Sequence, residues 1–234
     1  RVPATTMQSA CRGLARKNGW AKNAQASYCA NAIGTGILPR SLHPDEAIRK
    51  QVNEAWKRSS EELDADGRHD FAGMQMLAMN EIFEGGEVFA RGRARFDSDG
   101  LHVPMQVQLI PTEQLSRTMN IFADGGNPIR LGVEMDQIGR RIAYHFYREN
   151  PRMGSLALAT NPMETTRVPA QYVAHCYRSY NSGQLRGIPW LSAAMVTLWE
   201  LQQLTDAVLV KMKLSNMFVG WQRSLDGSSD GALG

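Results

Sequence analysis

The sequence predicts an α+β fold in which helices come first, antiparallel β-hairpins follow, and a long helix comes last. Apolar residues recur every three or four positions up to about Glu84, as in helices packed on one side. From Val88 they alternate with polar residues, as in strands with one buried face. The helical spacing returns at Pro189. Helices and hairpins in separate stretches are typical of α+β proteins and not of doubly wound sheets.

Two helices are predicted at the start of the chain. Ala4 to Lys17 is rich in good helix formers, and we expect Asn18-Gly19 to end this helix with a left-handed cap. A second helix should run from Trp20 to Ala32 and stop at the glycine-containing turn of residues 33–36.

Two more helices are predicted before the pattern changes. Pro44 suits the first position of the third helix, where a missing amide proton costs nothing. Apolar residues then recur at near-helical spacing, at Ile48, Val52, Trp56 and Leu63. This helix should therefore place one apolar stripe against a core. The fourth helix is expected from Phe71 to Glu84, with Gly85-Gly86 ending it.

The central part of the chain predicts β-hairpins. In the first, Val88, Ala90, Ala94 and Phe96 are expected on the buried face, alternating with the arginines at 91, 93 and 95. A turn at residues 97–100 leads into a return strand over residues 103–109.

A second hairpin should have arms at Leu131–Met135 and Ile142–Tyr147. Pro151 to Pro162 is expected to be a loop, and Pro169 to Tyr177 one further strand. The last helix should run from Pro189 to about Ser215, with an apolar face broad enough to pack on more than one side.

Composition excludes few classes of protein. The chain has 234 residues, 43% of them hydrophobic, and a net charge of +3 that is too small to indicate a nucleic-acid partner by itself. No apolar run reaches the ~20 residues that a membrane-spanning helix needs. Cys11, Cys29 and Cys176 form no C-x-x-C pair, so we expect free thiols. The chain begins at Arg1 and ends in a Gly/Ser-rich stretch, which we interpret as a fragment of a longer protein.

A search for catalytic and metal-binding patterns finds no strong one. The phosphate-binding loop G-x-x-x-x-G-K-[ST], the G-x-S-x-G nucleophile turn and the H-E-x-x-H zinc pair are all absent from the sequence. His175 and Cys176 are adjacent on a predicted strand and should point to opposite faces, so they are poor candidates to share a metal with His145. The acidic run from Glu61 to Asp66 fits a solvated helix end. We expect no cofactor, no metal and no enzymatic activity.

Three arginines form the one candidate contact site. Arg91, Arg93 and Arg95 share one face of a predicted strand, where guanidinium groups can track a phosphate backbone or bridge to an acidic partner. The alternative is an exposed strand face whose charges discourage edge pairing. The sequence leaves open whether DNA or a neighbouring subunit would be the partner.

Eight short segments, taken in order, resemble the lambda family of bacteriophage portal proteins. In the N-terminal part they are R-x-N-G-W-A-x-N-A at Arg16–Ala24, the G-x-G-I segment that follows the helical pattern at Gly34–Ile37, and Ala55-Trp56-Lys57 in the next helix. The strand segments are Gly86-Glu87-Val88-Phe89, Gln108–Leu115, residues 129–147 with G-V-E-x-D-x-x-G-R-x-x-A-Y, and Val168–His175. R-G-x-P-W-L at Arg186–Leu191 opens the last helix. Each segment is weak alone, but their common order spans nearly the whole chain.

The resemblance implies a structural subunit of a portal ring of about twelve copies at one vertex of the capsid. Such a ring would be the channel for DNA packaging and ejection. The implied partners are the terminase large subunit, the major capsid and scaffold proteins, the head-completion and tail connector proteins, and double-stranded DNA passing through without sequence specificity. The resemblance implies no membrane partner. It places the protein in the virion, after assembly in the host bacterial cytoplasm.

The resemblance also suggests how the chain is divided. We expect a helical, wing-like outer region at residues 1–86, a β-hairpin region at 87–180, a long helix with an apolar tail at 181–222, and a flexible end at 223–234. Two alternatives are a DNA-binding accessory module, which would use the arginine-bearing strand, and a phage hydrolase or nuclease fragment. The enzyme alternative would need converging carboxylates or histidines, for which the sequence offers no useful spacing.

Overall fold

The computed structural model describes residues 4–123, 125–151 and 164–217, and it confirms the predicted α+β fold. The chain divides into two units, residues 1–195 and residues 196–234, and each is described by itself. The described residues of the first unit form four α-helices and eight strands: α1 (Ala4–Lys17), α2 (Gly19–Ile33), α3 (Glu46–Ser59), α4 (Phe71–Gly85), β1 (Glu87–Ala94), β2 (Met105–Pro111), β3 (Ile121–Phe122), β4 (Pro128–Arg130), β5 (Val133–Met135), β6 (Arg141–Tyr147), β7 (Thr165–Pro169) and β8 (Val173–Tyr177).

The junction between α1 and α2 differs from the prediction. Asn18 has extended backbone angles, φ −103° and ψ 120°, and its side-chain oxygen accepts a hydrogen bond from the amide of Ala21 at 3.1 Å. Asn18 is therefore the N-cap of α2, and Gly19 is the first residue of that helix and not a left-handed cap for α1. An asparagine oxygen satisfies one of the orphan amides that every helix start exposes.

The third helix also begins later than predicted. Asp45 is its N-cap and accepts from the amide of Ala47 at 2.8 Å, so Pro44 lies outside the helix. The expected burial of the apolar stripe is wrong: α3 has no buried residue, and Ile48 and Val52 are 40% and 47% exposed. Trp56 is half-buried, and Leu63 is buried only after the helix has ended.

The strands form two antiparallel sheets. One has three strands in the order β2-β1-β8, and the other has five strands in the order β3-β4-β5-β6-β7. Both predicted hairpins are confirmed. β1 pairs with β2 from Val88 opposite Pro111 to Ala94 opposite Met105, and β5 pairs with β6.

Two predicted strand boundaries are wrong. Leu131 and Gly132 both have positive φ, 52° and 80°, and form the turn between β4 and β5, so β5 starts only at Val133. Residues 169–177 are not one strand. Pro169 ends β7, a one-turn helix at residues 170–172 follows, and β8 resumes in the other sheet. Proline has no amide to continue the ladder of β6 and β7, which favours a crossing at this point.

The burial of β1 also departs from the simple alternation. Val88 is buried as predicted, but Ala94 and Phe96 are exposed, and Phe96 lies beyond the strand. On the opposite face, Glu87 and Phe89 are fully buried. The first half of β1 lies between α4 and the five-stranded sheet, so both faces of the strand are covered there. Toward its C-terminal end the side chains of β1 become exposed.

The main core lies between the two sheets. It consists of side chains from β1, β2, β5, β6 and β7 together with the residue that follows β2: Phe89, Ile110, Leu115, Val133, Met135, Tyr144, Phe146 and Val168. Helices α1, α2 and α4 pack on one another, and α4 packs on β1 and β2. The helical layer therefore covers the three-stranded sheet on the side away from this core.

The long last helix begins later than predicted. Pro189 is followed by a short 3-10 helix at Trp190–Ala193, and α5 runs from Met195 to Met217. None of its side chains is buried, so the expected packing on several sides is absent from the described part of the chain. No helix among the described residues is long and apolar enough to span a membrane. The predicted loop after Pro151, the apolar tail to residue 222 and the end at 223–234 lie outside the described residues, apart from Pro151 itself.

Two glycines allow the segment before α5 to touch the start of β1. A Cβ on Gly187 would overlap the carbonyl group of Gly86, and a Cβ on Gly86 would overlap the Ile188–Pro189 backbone. Gly86 also has φ +91°, a left-handed conformation in which it caps α4 by donating to the carbonyl of Ile82. The approach of these two backbones therefore requires glycine on both sides.

Gly187→Ala is expected to lower the free energy of unfolding by about 2–4 kcal/mol, because the backbones must separate to admit the methyl group. Urea unfolding followed by circular dichroism measures the change. Gly13→Ala is the control, since its Cβ would meet nothing within 4 Å inside helix α1, and it should stabilise the protein by about 0.5–1 kcal/mol. Equal stability of the two variants would show that the close approach is not a constraint.

Candidate functional site

A buried carboxylate at the first position of β1 collects hydrogen bonds from distant parts of the chain. Glu87 is 0% exposed. Its donors are the Arg186 guanidinium at 2.6 Å, the Gly187 amide at 2.6 Å, the Thr112 hydroxyl at 2.5 Å, the His175 ring at 3.0 Å and Arg117 at 3.4 Å. We call Glu87 and these five residues the Glu87 network. A buried carboxylate needs this number of donors, because burial without partners is very costly.

Arg186 extends the network to both sheets. Besides Glu87, its guanidinium donates to the carbonyl of Thr112 at 2.9 Å, after β2, and to the carbonyl of Leu131 at 3.0 Å. Leu131 is the non-glycine residue with positive φ in the turn between β4 and β5. One arginine therefore joins the segment before α5 to the end of β2 and to a strained turn of the five-stranded sheet.

His175 is held as the neutral tautomer with its proton on Nε2. The Nε2–H group donates to Glu87, and Nδ1 accepts from Arg141 at 3.3 Å. The ring lies against Phe89 and Tyr177, with ring centroids 4.3 Å and 4.4 Å away. Burial lowers the pKa of His175, and this effect outweighs the opposite influence of Glu87. The imidazole is thus a structural hydrogen-bond donor to the carboxylate.

The charge of Glu87 depends on its partners. Burial alone would raise its pKa, but the hydrogen bonds from His175 and Arg186 outweigh burial and lower it from 4.5 to about 2. A depressed carboxyl pKa contributes stability that is fully present above pH 4.5 and is lost as pH falls toward about 2. The network is therefore complete at neutral pH.

A second buried ion cluster joins α1 to α4 and to the segment after β2. Arg12 of α1 contacts Glu81 of α4 at 2.5 Å, Glu113 after β2 at 2.7 Å, and Glu84 of α4 at 3.4 Å. Burial lowers the pKa of Arg12, but the hydrogen bonds and charges of Glu81 and Glu113 raise it overall. Gln8 donates to the carbonyl of Gly85 and to Thr112, which links this cluster to the Glu87 network.

A third carboxylate is paired on the five-stranded sheet. Glu134 of β5 is 2% exposed and accepts from Arg167 of β7 at 2.7 Å and 3.1 Å. His145 and Asn127 lie within 3.2 Å of the same carboxylate. The hydrogen bonds from Arg167 are the main reason that the pKa of Glu134 falls to about 2. This cluster joins β5, β6 and β7 through their side chains.

These clusters join separate elements of the fold through buried charges. In the Glu87 network the donors are directed at the carboxylate, at backbone carbonyls and at the Thr112 hydroxyl. Within the described ranges, no three His, Cys, Asp or Glu side chains are grouped to hold a metal ion. His145 and His175 belong to different networks, and Asp64 caps the amides of residues 66, 68 and 69.

The three predicted contact arginines have different surroundings. Arg91 and Arg93 lie on the same side of β1, where Arg91 is half-buried and Arg93 is exposed. Burial, followed by the charge of Arg93, lowers the pKa of Arg91. Arg95 lies beyond the strand and pairs with Asp99 at 3.3 Å. The structure thus brings two of the three together, and their role as a DNA or subunit contact stays a prediction.

Sequence reasoning missed the Glu87 network, although its members lie in the quoted segments. Glu87 is in the segment at 86–89, Thr112 in that at 108–115, His175 in that at 168–175, and Arg186 in that at 186–191. Four of the segments that carry the resemblance therefore meet at one buried carboxylate. A glutamate placed before two apolar residues at a strand start was the one available signal, and it does not identify a partner.

Comparison with known proteins supports one assignment. The family model described as "Phage portal protein, lambda family" matches residues 2–232. A probable portal protein of Halomonas phage phiHAP-1 is 25% identical over 225 residues, which cover 92% of this chain and 42% of that protein. The chain therefore spans less than half the length of this relative.

Glu87→Gln is expected to lower the free energy of unfolding at pH 7 by about 3–5 kcal/mol, because Arg186 would stay buried without a compensating charge. Urea unfolding between pH 7 and pH 3 measures the loss. The gap between wild type and variant should narrow as pH falls from 4.5 toward 2, since the unfolded wild type takes up a proton at Glu87 that the folded protein does not. The exposed Glu149→Gln is the control. A constant gap across this range would contradict a charged Glu87.

Proposed function

Because the chain belongs to the lambda family of phage portal proteins, we propose that it is part of a subunit of a closed portal ring at one capsid vertex. The ring would provide the channel for DNA packaging and ejection. It would also dock the terminase large subunit and, later, the head-completion and tail connector proteins. Assembly would take place in the host bacterial cytoplasm with the major capsid and scaffold proteins, and the finished ring would stay in the virion.

The character of α5 carries this proposal. Its large apolar side chains are exposed and point in all directions around the helix axis: Val196, Trp199, Leu201, Leu204, Val208, Leu209, Val210, Met212, Leu214 and Met217. A helix that is apolar all round needs cover on more than one side. In a head-to-tail ring every subunit has a neighbour on each side, and together they can supply that cover.

The distribution of charge supports a structural role. Among the described residues, the buried ion pairs of the first unit are centred on Glu87, Arg12 and Glu134. The net charge is only +3. Tight binding to duplex DNA needs many cations on one surface, whereas a conduit must let DNA slide. We therefore propose a structural subunit without catalysis, with ATP hydrolysis left to the terminase.

The arginines of β1 are the proposed polar contact. Arg91 and Arg93 project from the open half of the strand, and the described part of the chain shows no ion pair for either. We propose that they contact either the DNA backbone or a neighbouring subunit. Arg95 should contribute less, because Asp99 already holds it.

Replacing Leu204 and Val208 together with Glu should prevent the full-length protein from forming rings, because two charges would be buried in the subunit contact. Native mass spectrometry should show rings of about twelve subunits for the wild type and monomers for the variant. Ile138→Glu, an equal change on an exposed hairpin turn, is the control. Intact rings in the double variant would remove α5 from the contact.

Arg91→Ala with Arg93→Ala should reduce the salt dependence of DNA binding by about two counterions if the pair contacts phosphates. Fluorescence anisotropy with labelled duplex DNA at several salt concentrations measures this slope. Arg130→Ala removes an exposed cation of β4 and serves as the control. Loss of rings with an unchanged slope would assign the pair to a subunit contact. If neither property changed, the arginines would have no contact role.

A further inference from the structure

A surface groove lies between the segment that follows α2 and the C-terminal half of α3. Its volume is about 370 Å³, and Leu38, Pro39, Arg40, Asn53, Trp56 and Lys57 line it. We call it the α3 groove. It is remote in sequence from the arginines of β1 and from α5, and it lies wholly within the first unit.

The groove is built from fixed parts. Gln75 of α4 holds Ile37 through two hydrogen bonds of 2.8 Å, one to its amide and one to its carbonyl. Asn53 of α3 accepts from the amide of Ser41 at 2.9 Å. Trp56 packs edge-on against Phe71, with ring centroids 5.0 Å apart. The wall at residues 37–41 is thus held at both ends, and a preformed groove needs little ordering when it binds.

An exposed apolar stripe leads into the groove. Ile48, Val52 and Trp56 follow one another at intervals of four residues, so they lie along one face of α3. Leu38 and Leu42, on the neighbouring segment, are 65% and 94% exposed. The sequence pattern of α3 predicts a buried stripe, yet the described part of the chain does not cover it. Contiguous apolar surface of this kind marks an interaction site.

The two charged side chains that line the groove itself are positive. Arg40 and Lys57 line it, and neither forms an ion pair within the described ranges. Arg49 directly follows Ile48 at the start of the stripe. Glu54 lies about 200° around the helix from Val52, and it borders Lys57 together with Glu61 and Glu62 in a neighbouring cleft. An apolar strip beside unpaired cations is complementary to a segment that is both aliphatic and acidic.

We propose that the α3 groove docks an acidic amphipathic helix of a partner protein. Aliphatic side chains of that helix would lie on Leu38, Val52 and Trp56, and its carboxylates would face Arg40 and Lys57. The two cations lie beside an apolar strip that a phosphate backbone would leave uncovered, so a peptide with aliphatic and acidic side chains fits better than DNA. The proposal does not depend on ring assembly, because α5 and the arginines of β1 take no part in it.

The experiment uses the full-length protein and two fluorescent synthetic helices. Both carry leucine at positions i, i+3, i+4 and i+7, with Glu at the exposed positions of one and Lys at those of the other. Anisotropy titration should show that the acidic helix binds at least about tenfold more tightly. Arg40→Glu with Lys57→Glu should reverse this preference, and the new affinity for the basic helix would show that the variant is folded. Val52→Ser should weaken both complexes, because both helices use the apolar strip.

Lys22→Glu is the matched control, since it reverses an exposed cation on α2, away from the groove. It should change either affinity by less than about twofold. Equal binding of the two helices, or no effect of Arg40→Glu with Lys57→Glu, would overturn the proposal. Loss of ring assembly in that double variant would assign the groove to a second copy of the chain. Displacement of the acidic helix by duplex DNA, with the same residues required, would assign it to nucleic acid.

Discussion

The structure depends on keeping one carboxylate charged in a place that water does not reach. Glu87 is fully buried at the point where α4 ends and β1 begins, and desolvation alone would raise its pKa. Its charge persists because Arg186, His175, Thr112 and an amide surround it. These donors come from segments up to 100 residues away, so the carboxylate is satisfied only when the three-stranded sheet and the segment before α5 are in place.

The ionic networks determine which elements are joined to one another more than they increase the free energy of unfolding. A buried ion pair adds little net stability over an apolar contact, but removing one partner leaves a costly charge behind. Glu87 joins the segment before α5 to β1, Arg12 joins α1 to α4, and Glu134 joins the last three strands of the larger sheet. The interior therefore contains specific ion pairs, whereas α5 and one stripe of α3 expose large apolar side chains. A subunit that must bury those surfaces in an assembly has this combination.

The sequence predicted what local periodicity determines. The helices up to Glu84 and the pairing of β1 with β2 follow from apolar spacing and turn residues, and the structure confirms them. The sequence did not predict that β7 and β8 are separate strands. Their residues have the pattern of one continuous strand, although the two strands belong to different sheets. The sequence also did not predict the role of Asn18, because an asparagine between two helical stretches can end the first helix or begin the second. In the structure it is the N-cap of the second helix.

The Glu87 network was beyond sequence reasoning for a related reason. Nothing near Glu87 in the chain shows that Arg186 and His175 will reach it, since only the folded sheets bring them together. Hydrogen exchange of the Gly187 amide tests this account most directly, because that amide donates to Glu87. We expect it to exchange only through global unfolding, with the same free energy and denaturant dependence as the amides of β1. Exchange at a much lower free energy, independent of denaturant, would show that the segment opens locally and that the network does not fasten it.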